Sequence, residues 1–385
     1  MHSRVRYERV QHQAASYLSI YSTISHSDAK LFQLIRVGNL DFAHRIVLAP
    51  LTRFRADNGH VPTDIMVEYY AQSARVPGTL LITEATFITA RAGGYNNVPG
   101  FWSDEQVAGW KKVTDAVHAQ GSYVYLQLWQ LGRTAKPEIL ALPDCPRNPG
   151  GPYSLVSSDV PLPDKKDASK PRPLTHEEIL EYIELFGKAA HNAVHRAGFD
   201  GVEIAKKVVS IVGEERAGIR PSPFNTLQVE RMRHIQRNYA YLVSRIREDY
   251  PRFAFLHVVE PRIAGVSERE VLVGESNDFL RAIWKGPDSE KNGSVYLSAG
   301  GYTAESALKD AEELGDLIVF GRYYISNPDL PARVKKNTSF TPYDRSKFYA
   351  RESLEGYVDY SFADPEAEAF YNAEKEKRER NYTPA

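Results

Sequence analysis

Cysteine is nearly absent from this chain, which has a single Cys145 among 385 residues. One thiol excludes an internal disulfide framework and any cysteine-built metal cluster, and it fits a reducing compartment, so the expected location is cytoplasmic. An excess of charge of either sign is also missing: 48 Lys and Arg stand against 49 Asp and Glu, a net charge of -1. Such a balance gives no field that would gather nucleic acid or an anionic membrane surface. No apolar run approaches the ~20 residues that a membrane helix requires. What remains is a globular chain expected to serve a small molecule or a cofactor.

Short β-branched runs alternate with amphipathic stretches. The runs are "RIVLAP" (45–50), "GTLLITEA" (78–85), "YVYLQLW" (123–129), "GVEI" (201–204), "AGIRPSP" (217–223), "AFLHVVE" (254–260), "SVYLSAG" (294–300) and "GDLIVFGR" (315–322). Helical periodicity falls between them at 64–76, 104–120, 176–196, 229–249 and 304–314. Ser103 before "DEQ" and Thr175 before "HEE" are helix N-caps with acids in the first turn. Eight such units predict a (β/α)8 barrel over 31–360. Residues 1–30 read as a disordered tail, and 361–385 as a partly helical one. The Pro- and Ser-rich stretch 137–174 reads as a long excursion, of the kind that serves as a functional lid.

In a (β/α)8 barrel the active groups gather at the carboxyl ends of the strands, with phosphate commonly held after strands seven and eight. Strand seven ends on Gly300 and Gly301, and strand eight on Gly321 and Arg322. Two glycine turns and an arginine predict a phosphate cup. Strand three carries Gln127 and strand five carries Arg220, polar groups in apolar runs that need partners when buried. An amide and a guanidinium at one barrel mouth suit a ring with imide edges and an anionic reduced state, which is what a flavin offers.

The blocks "RIVLAPLTRFRA", "GGYNNVPGFWSDEQ", "QLWQLGR", "GFDGVEI", "GIRPSPF", "HVVEPRI", "AGGY" and "FGRYYISNPDLP" occur in an order that resembles the old yellow enzyme family of FMN-dependent NAD(P)H oxidoreductases, from Leu31 to about Phe362. The resemblance implies FMN as cofactor, NADPH or NADH as reductant, and an unsaturated carbonyl compound as substrate, in a monomer or homodimer. It implies that Pro50, Leu51 and Thr52 line the flavin, that Ala85 and Gln127 meet its pyrimidine side, and that Arg220 faces N1 and O2. Gly300, Gly301, Gly321 and Arg322 would hold the phosphate, and Tyr95 and Tyr349 would flank the substrate.

One departure from the family stands out. The family follows "GVEI" with a His-x-x-Asn motif, a Tyr two residues later and a long loop, whereas here Ile204 runs directly into "AKKVVSIVGEERAGIR". The resemblance assigns the His and Asn to hydrogen-bonding the substrate oxygen and the Tyr to proton delivery, so all three catalytic groups are expected to be absent. Residues 205–216 alone must then carry the chain between neighbouring parallel strands, at the lower limit of ~10 to 12 for such a crossover. Lys206 and Lys207 read as a solvated face and His257 as a core histidine. Two readings follow: a reductase with impaired substrate activation, or an inactive family member or truncated gene product that retains capacity for FMN. A barrel isomerase or aldolase would need paired groups at the strand ends, and Glu84 and Glu260 have no evident partner in the sequence.

Overall fold

The computed structural model describes residues 25–141, 155–156, 171–203, 208–225, 234–265, 267–286, 293–366, 368–369 and 371–373. Eight strands run parallel: β1 Ile46–Leu48, β2 Leu80–Ile82, β3 Tyr123–Trp129, β4 Gly201–Glu203, β5 Ala217–Ile219, β6 Phe255–Val259, β7 Val295–Ala299 and β8 Leu317–Phe320. Each pairs with the next, and β8 pairs back onto β1 through Ile318↔Ile46, Val319↔Val47 and Phe320↔Leu48. The sheet therefore closes into a (β/α)8 barrel.

Period-two alternation sorts the strand residues between two cores. Val47, Leu80, Ile82, Tyr125, Phe255, Leu297 and Val319 fill the barrel, while Ile46, Leu48, Leu81, Leu126, Leu256 and Ile318 face the helices. Two glycines make room inside: a Cβ on Gly201 would come 2.3 Å from the Tyr125 ring, and one on Gly218 would come 2.3 Å from Phe255. An antiparallel hairpin of Ile35–Val37 and Leu40–Phe42 closes the lower end by adding Val37 and Phe42 to the inner core. Its turn residue Gly38 (φ +55°) lies against the Glu215 backbone, where a Cβ would come 2.0 Å from the carbonyl oxygen.

Around the barrel lie the helices α1 Asp64–Ser73, α2 Asp104–His118, α3 His176–His195, α4 Val209–Val212, α5 Ile235–Asp249, α6 Asp278–Lys285, α7 Ala304–Leu314 and α8 Leu330–Lys335, with further single turns at Pro137–Leu140 and Arg322–Ile325. Ser103 with Gln106, and Thr175 with Glu178, form the reciprocal capping boxes that satisfy two otherwise orphaned donors at each helix start. Helix α6 lies in "ESNDFLRAIW", outside the five periodic stretches, because a helix this short shows too few turns of periodicity to read. Of the expected stretch 229–249, the helix begins at Ile235, and 226–233 lie outside the described residues. Most of the excursion 137–174 also lies outside them, as do residues 1–24 and 374–385.

The crossover from β4 to β5 is short. Glu203 ends one strand and Ala217 opens its parallel neighbour, with Ala217↔Val202 and Gly218↔Glu203 in register. Of the residues between, 204–207 lie outside the described residues, and Val209–Val212 make a single turn of helix. Gly213 (φ +86°) then turns the chain into a 3₁₀ turn at Glu214–Arg216. Val209 and Val212 are buried against α3 and its neighbours. Among the described residues one helical turn therefore stands where the units between the other strands have two or more.

Candidate active site

At the carboxyl end of the barrel lies a cavity of about 480 Å³, within the range of small-molecule sites. Its walls take Pro50, Leu51 and Thr52 from the end of β1, Arg220 after β5, Gly300 and Gly301 after β7, and Gly321 and Arg322 after β8, with Tyr349 at the rim. Arg220 follows β5 directly, one residue beyond the strand that the sequence had been expected to carry through it. Ala85 and Gln127 are not among the lining residues. Ala85 is buried just after β2, and Gln127 points into the barrel beneath the cavity. Tyr95 lines a separate, smaller pocket that shares Tyr349.

The two glycines after β7 have backbones that other residues rarely adopt, with φ +135° at Gly300 and +63° at Gly301. A Cβ on Gly300 would meet Ile263 at 3.0 Å and Glu260 at 3.2 Å, so this turn is both strained and tight for any side chain. Two guanidinium groups flank Gly301, with Arg262 Nε 3.8 Å and Arg322 Nη2 3.9 Å from its notional Cβ. Arg262 Nε also donates to the Gly300 carbonyl at 2.5 Å. Arg262 escaped the sequence reading, although "EPR" immediately follows a barrel strand. Arg322 donates to Tyr343 Oη at 3.1 Å and is ion-paired with Glu268 at 2.7 Å. Glu268 sits on a small hairpin, Ile263–Ala264 with Ser267–Glu268, that borders the cup.

Beneath the cavity the inward-facing polar residues of β3, β4 and β6 meet. Gln127 Nε2 donates to Glu203 Oε1 at 2.5 Å, and His257 Nδ1 lies 2.8 Å from Glu203 Oε2. Burial works against the Glu203 carboxylate, yet His257, Arg220 and the Gln127 bond outweigh it and hold the carboxyl below its usual range. Burial pushes His257 the other way, towards the neutral ring that donates from Nδ1. Arg220 Nε is buried and has no hydrogen-bond partner among the described residues. At the cavity wall this unspent N–H is available to an acceptor on a ligand.

Side chains next to β1 and β2 brace the rim. Arg53 and Arg55 are fully buried. Arg55 donates to the carbonyls of Lys347, Phe348, Ser353 and Glu355, while Arg53 donates to those of Phe348 and Gly356. Both guanidinium groups lie over the Tyr357 ring, at 4.9 and 4.7 Å. These bonds fix the segment that carries Tyr349. Glu84 accepts from the Arg53 amide, and burial pushes its pKa up to about 7 against the pull of both arginines. Glu260 is held by Ser298 and Arg281. Each strand-end acid thus has a structural partner, and Glu84 and Glu260 do not pair with one another.

A cavity with two bare glycines, two arginines and an Arg220 Nε without a partner among the described residues suits a phosphorylated, electron-accepting ring. A model of the NADH:flavin oxidoreductase / NADH oxidase family matches residues 30–206 and 204–340. The chain belongs to this family. Its cofactor is FMN and its reductant NAD(P)H, so the protein is an FMN-dependent oxidoreductase of the old yellow enzyme type. Among relatives, it is 42% identical over 375 residues to the chanoclavine-I aldehyde reductase fgaOx3 of Penicillium roqueforti, covering 87% of this chain and 96% of that one. It is 38% identical over 388 residues to a probable inactive reductase, easA, of Epichloe festucae var. lolii, covering 88% and 96%. Its structure is similar to that of Old Yellow Enzyme from Pichia sp. AKU4542, with a TM-score of 0.75, 31% identity, and coverage of 88% of this chain and 94% of that one. Among the described residues no helix is long and apolar enough to cross a membrane, and no cluster of His, Cys, Asp or Glu is placed to hold a metal ion.

Proposed function

We propose that this protein accepts hydride from NAD(P)H and delivers it to the activated C=C bond of an enone-like small molecule, with substrate activation impaired by the short fourth crossover. The observation that carries the reading is the short passage from Glu203 to Ala217, in which the described residues hold one turn of α-helix. Further support comes from the family match, whose two segments meet at 204–206. The alignment with the Penicillium reductase runs 375 positions while taking in 87% of a 385-residue chain, so a few dozen positions have no residue here to match.

FMN, when bound, supplies the two-electron chemistry between reductant and acceptor. Arg262, Arg322 and the Gly300–Gly301 turn would hold its phosphate, and Pro50, Leu51 and Thr52 would line its ring. Arg220, with Nε unspent, would face the edge where negative charge collects on reduction, whereas Ala85 and Gln127 lie outside the cavity lining and take no part in this reading. Tyr95 and Tyr349 would bound the substrate. Without the His, Asn and Tyr of the family motif, neither the substrate oxygen nor the carbon to be protonated has its donor. If one such donor contributes ~3 kcal/mol to the transition state, losing two slows turnover by a few orders of magnitude. Molecular oxygen or a quinone needs no such donor, so reduction of these acceptors would survive.

A second reading, an inert FMN-binding protein, is favoured by the similarity to a relative named as probably inactive. The test begins with the visible spectrum of protein incubated with FMN and desalted. A retained flavin band that NADPH bleaches, with oxygen or quinone turnover far exceeding turnover of 2-cyclohexenone, supports the impaired reductase. A band that NADPH leaves unchanged supports the inert binder, and a colourless protein overturns both.

A further inference from the structure

We propose that the pocket between Lys136 and Arg351 is an anion subsite, binding a phosphate or carboxylate on the molecule whose reactive end enters the main cavity. The proposal rests on the reductase reading for its ligand, but the site itself is argued from this chain alone. The pocket has a volume of about 210 Å³, and its walls include Tyr95, Asn96, Lys136, Tyr349 and Arg351. Tyr349 also lines the 480 Å³ cavity, so the two share an aromatic wall.

The charge at this pocket is of one sign. Among the described residues two cationic side chains line it and no carboxylate does. Among the described residues neither Lys136 nor Arg351 forms an ion pair, whereas the cup arginine Arg322 is matched with Glu268. Lys136 Nζ lies 5.9 Å from the centre of the Tyr95 ring, a contact that leaves its three N–H donors available. An ammonium point charge beside a planar guanidinium fork suits the oxygens of a phosphate monoester or a carboxylate. The Asn96 amide adds neutral hydrogen-bonding capacity.

The wall is held in place, which argues for a built pocket. Phe54 adopts φ +57°, unusual for an aromatic residue. From there its ring meets Tyr95 edge-on at 6.0 Å and Tyr349 edge-on at 5.6 Å. The backbone strain at Phe54 is sustained by Arg53 and Arg55 on either side of it, both tied to the segment that carries Tyr349 and Arg351. The volume is too small for a nucleotide and large enough for one anionic group. Two sources share that chemistry: the 2′-phosphate that distinguishes NADPH from NADH, and a carboxylate carried by the electron acceptor.

The experiment is calorimetric titration of FMN-loaded protein with 2′,5′-ADP against 5′-AMP, and with trans-cinnamate against neutral cinnamamide, in the wild type and in Lys136→Gln/Arg351→Gln. Both side chains are exposed, and flavin retention by the variant reports that the barrel is intact. The expected result is at least a tenfold loss in the variant for one anionic probe, with its neutral or less charged partner unchanged. Loss confined to 2′,5′-ADP assigns the site to the reductant, and loss confined to cinnamate assigns it to the acceptor. Equal binding of every probe by the two proteins, or no binding of either anion to the wild type, overturns the proposal. The titration requires no turnover, so an inert protein can still pass it, and failure of the subsite is distinguishable from failure of the reductase reading.

Discussion

His257 Nδ1 lies 2.8 Å from Glu203 Oε2 at the centre of the barrel, with the two side chains 0% and 2% exposed. Glu203 also balances the charge of Arg220, whose Nε has no partner among the described residues. Removing one member of such a buried set strands the others. Glu203→Leu is expected to lower the unfolding free energy of the flavin-free protein by about 3–5 kcal/mol. Adding Arg220→Leu recovers part of that loss, because the stranded cation goes with it. Urea denaturation of the wild type, the two single variants and the double variant forms the cycle that checks this, and simple additivity of the two losses would refute the coupling.

Glu84 gives a pH signature. Its folded pKa, pushed up to about 7 by burial, lies above the ordinary value of 4.5. The folded state therefore binds the proton more tightly than the unfolded chain, and the stabilisation is complete below pH 4.5 and lost as pH rises through 7. Relative to Glu84→Gln, the wild type should lose roughly 3 kcal/mol of stability between those limits. Denaturation curves of both proteins at pH 5 and pH 8 decide it. A difference that does not change with pH would mean that Glu84 is ionised throughout.

The ion pair between Glu268 and Arg322 places a carboxylate beside the Gly300–Gly301 turn proposed to hold the FMN phosphate. Glu268 is largely exposed, so the effect of removing its charge is modest. Glu268→Gln should tighten FMN binding about two- to fivefold at low salt, with the gain shrinking towards physiological ionic strength. Arg322→Ala should weaken binding by ten- to a hundredfold. Quenching of flavin fluorescence on titration measures both.

Arg55 ties four carbonyls of the 347–355 segment to the body of the barrel. Arg55→Ala leaves these acceptors without donors and should cost about 3 kcal/mol or more. It should also expose the chain near Tyr349 to protease while the rest of the barrel stays resistant. Limited proteolysis followed by mass mapping of the first cut tests this, and a first cut elsewhere would show that the segment has other anchors.

The barrel was legible because each strand is a short β-branched run bounded by turn residues, and because closure follows from eight units in one chain. That Gly300, Gly301, Gly321 and Arg322 share one cavity was legible for a related reason: they lie at strand ends, where position along the chain translates into position in space. Arg53, Arg55 and Glu268 were not legible in this way. Arg55 finds its acceptors nearly 300 residues away, and a buried arginine looks like a surface one until its partners are known. Phe54 gives no sign of its left-handed backbone, since that conformation is imposed by the bonds on either side of it. The lower hairpin was missed because its two strands are three residues each, too short for alternation to show.

The contact between Gly38 and the Glu215 carbonyl has a bearing on how such a molecule can change over generations. It ties the foot of the fourth crossover to the floor of the barrel, at the end opposite the cavity. Residues that hold the shape and residues that do the chemistry are thereby sorted to opposite ends of the same strands. A lineage with this layout can shorten a loop at the mouth without disturbing the floor, so descent can strip a barrel of its reaction and still hand on a folded, cofactor-sized vessel for selection to refill.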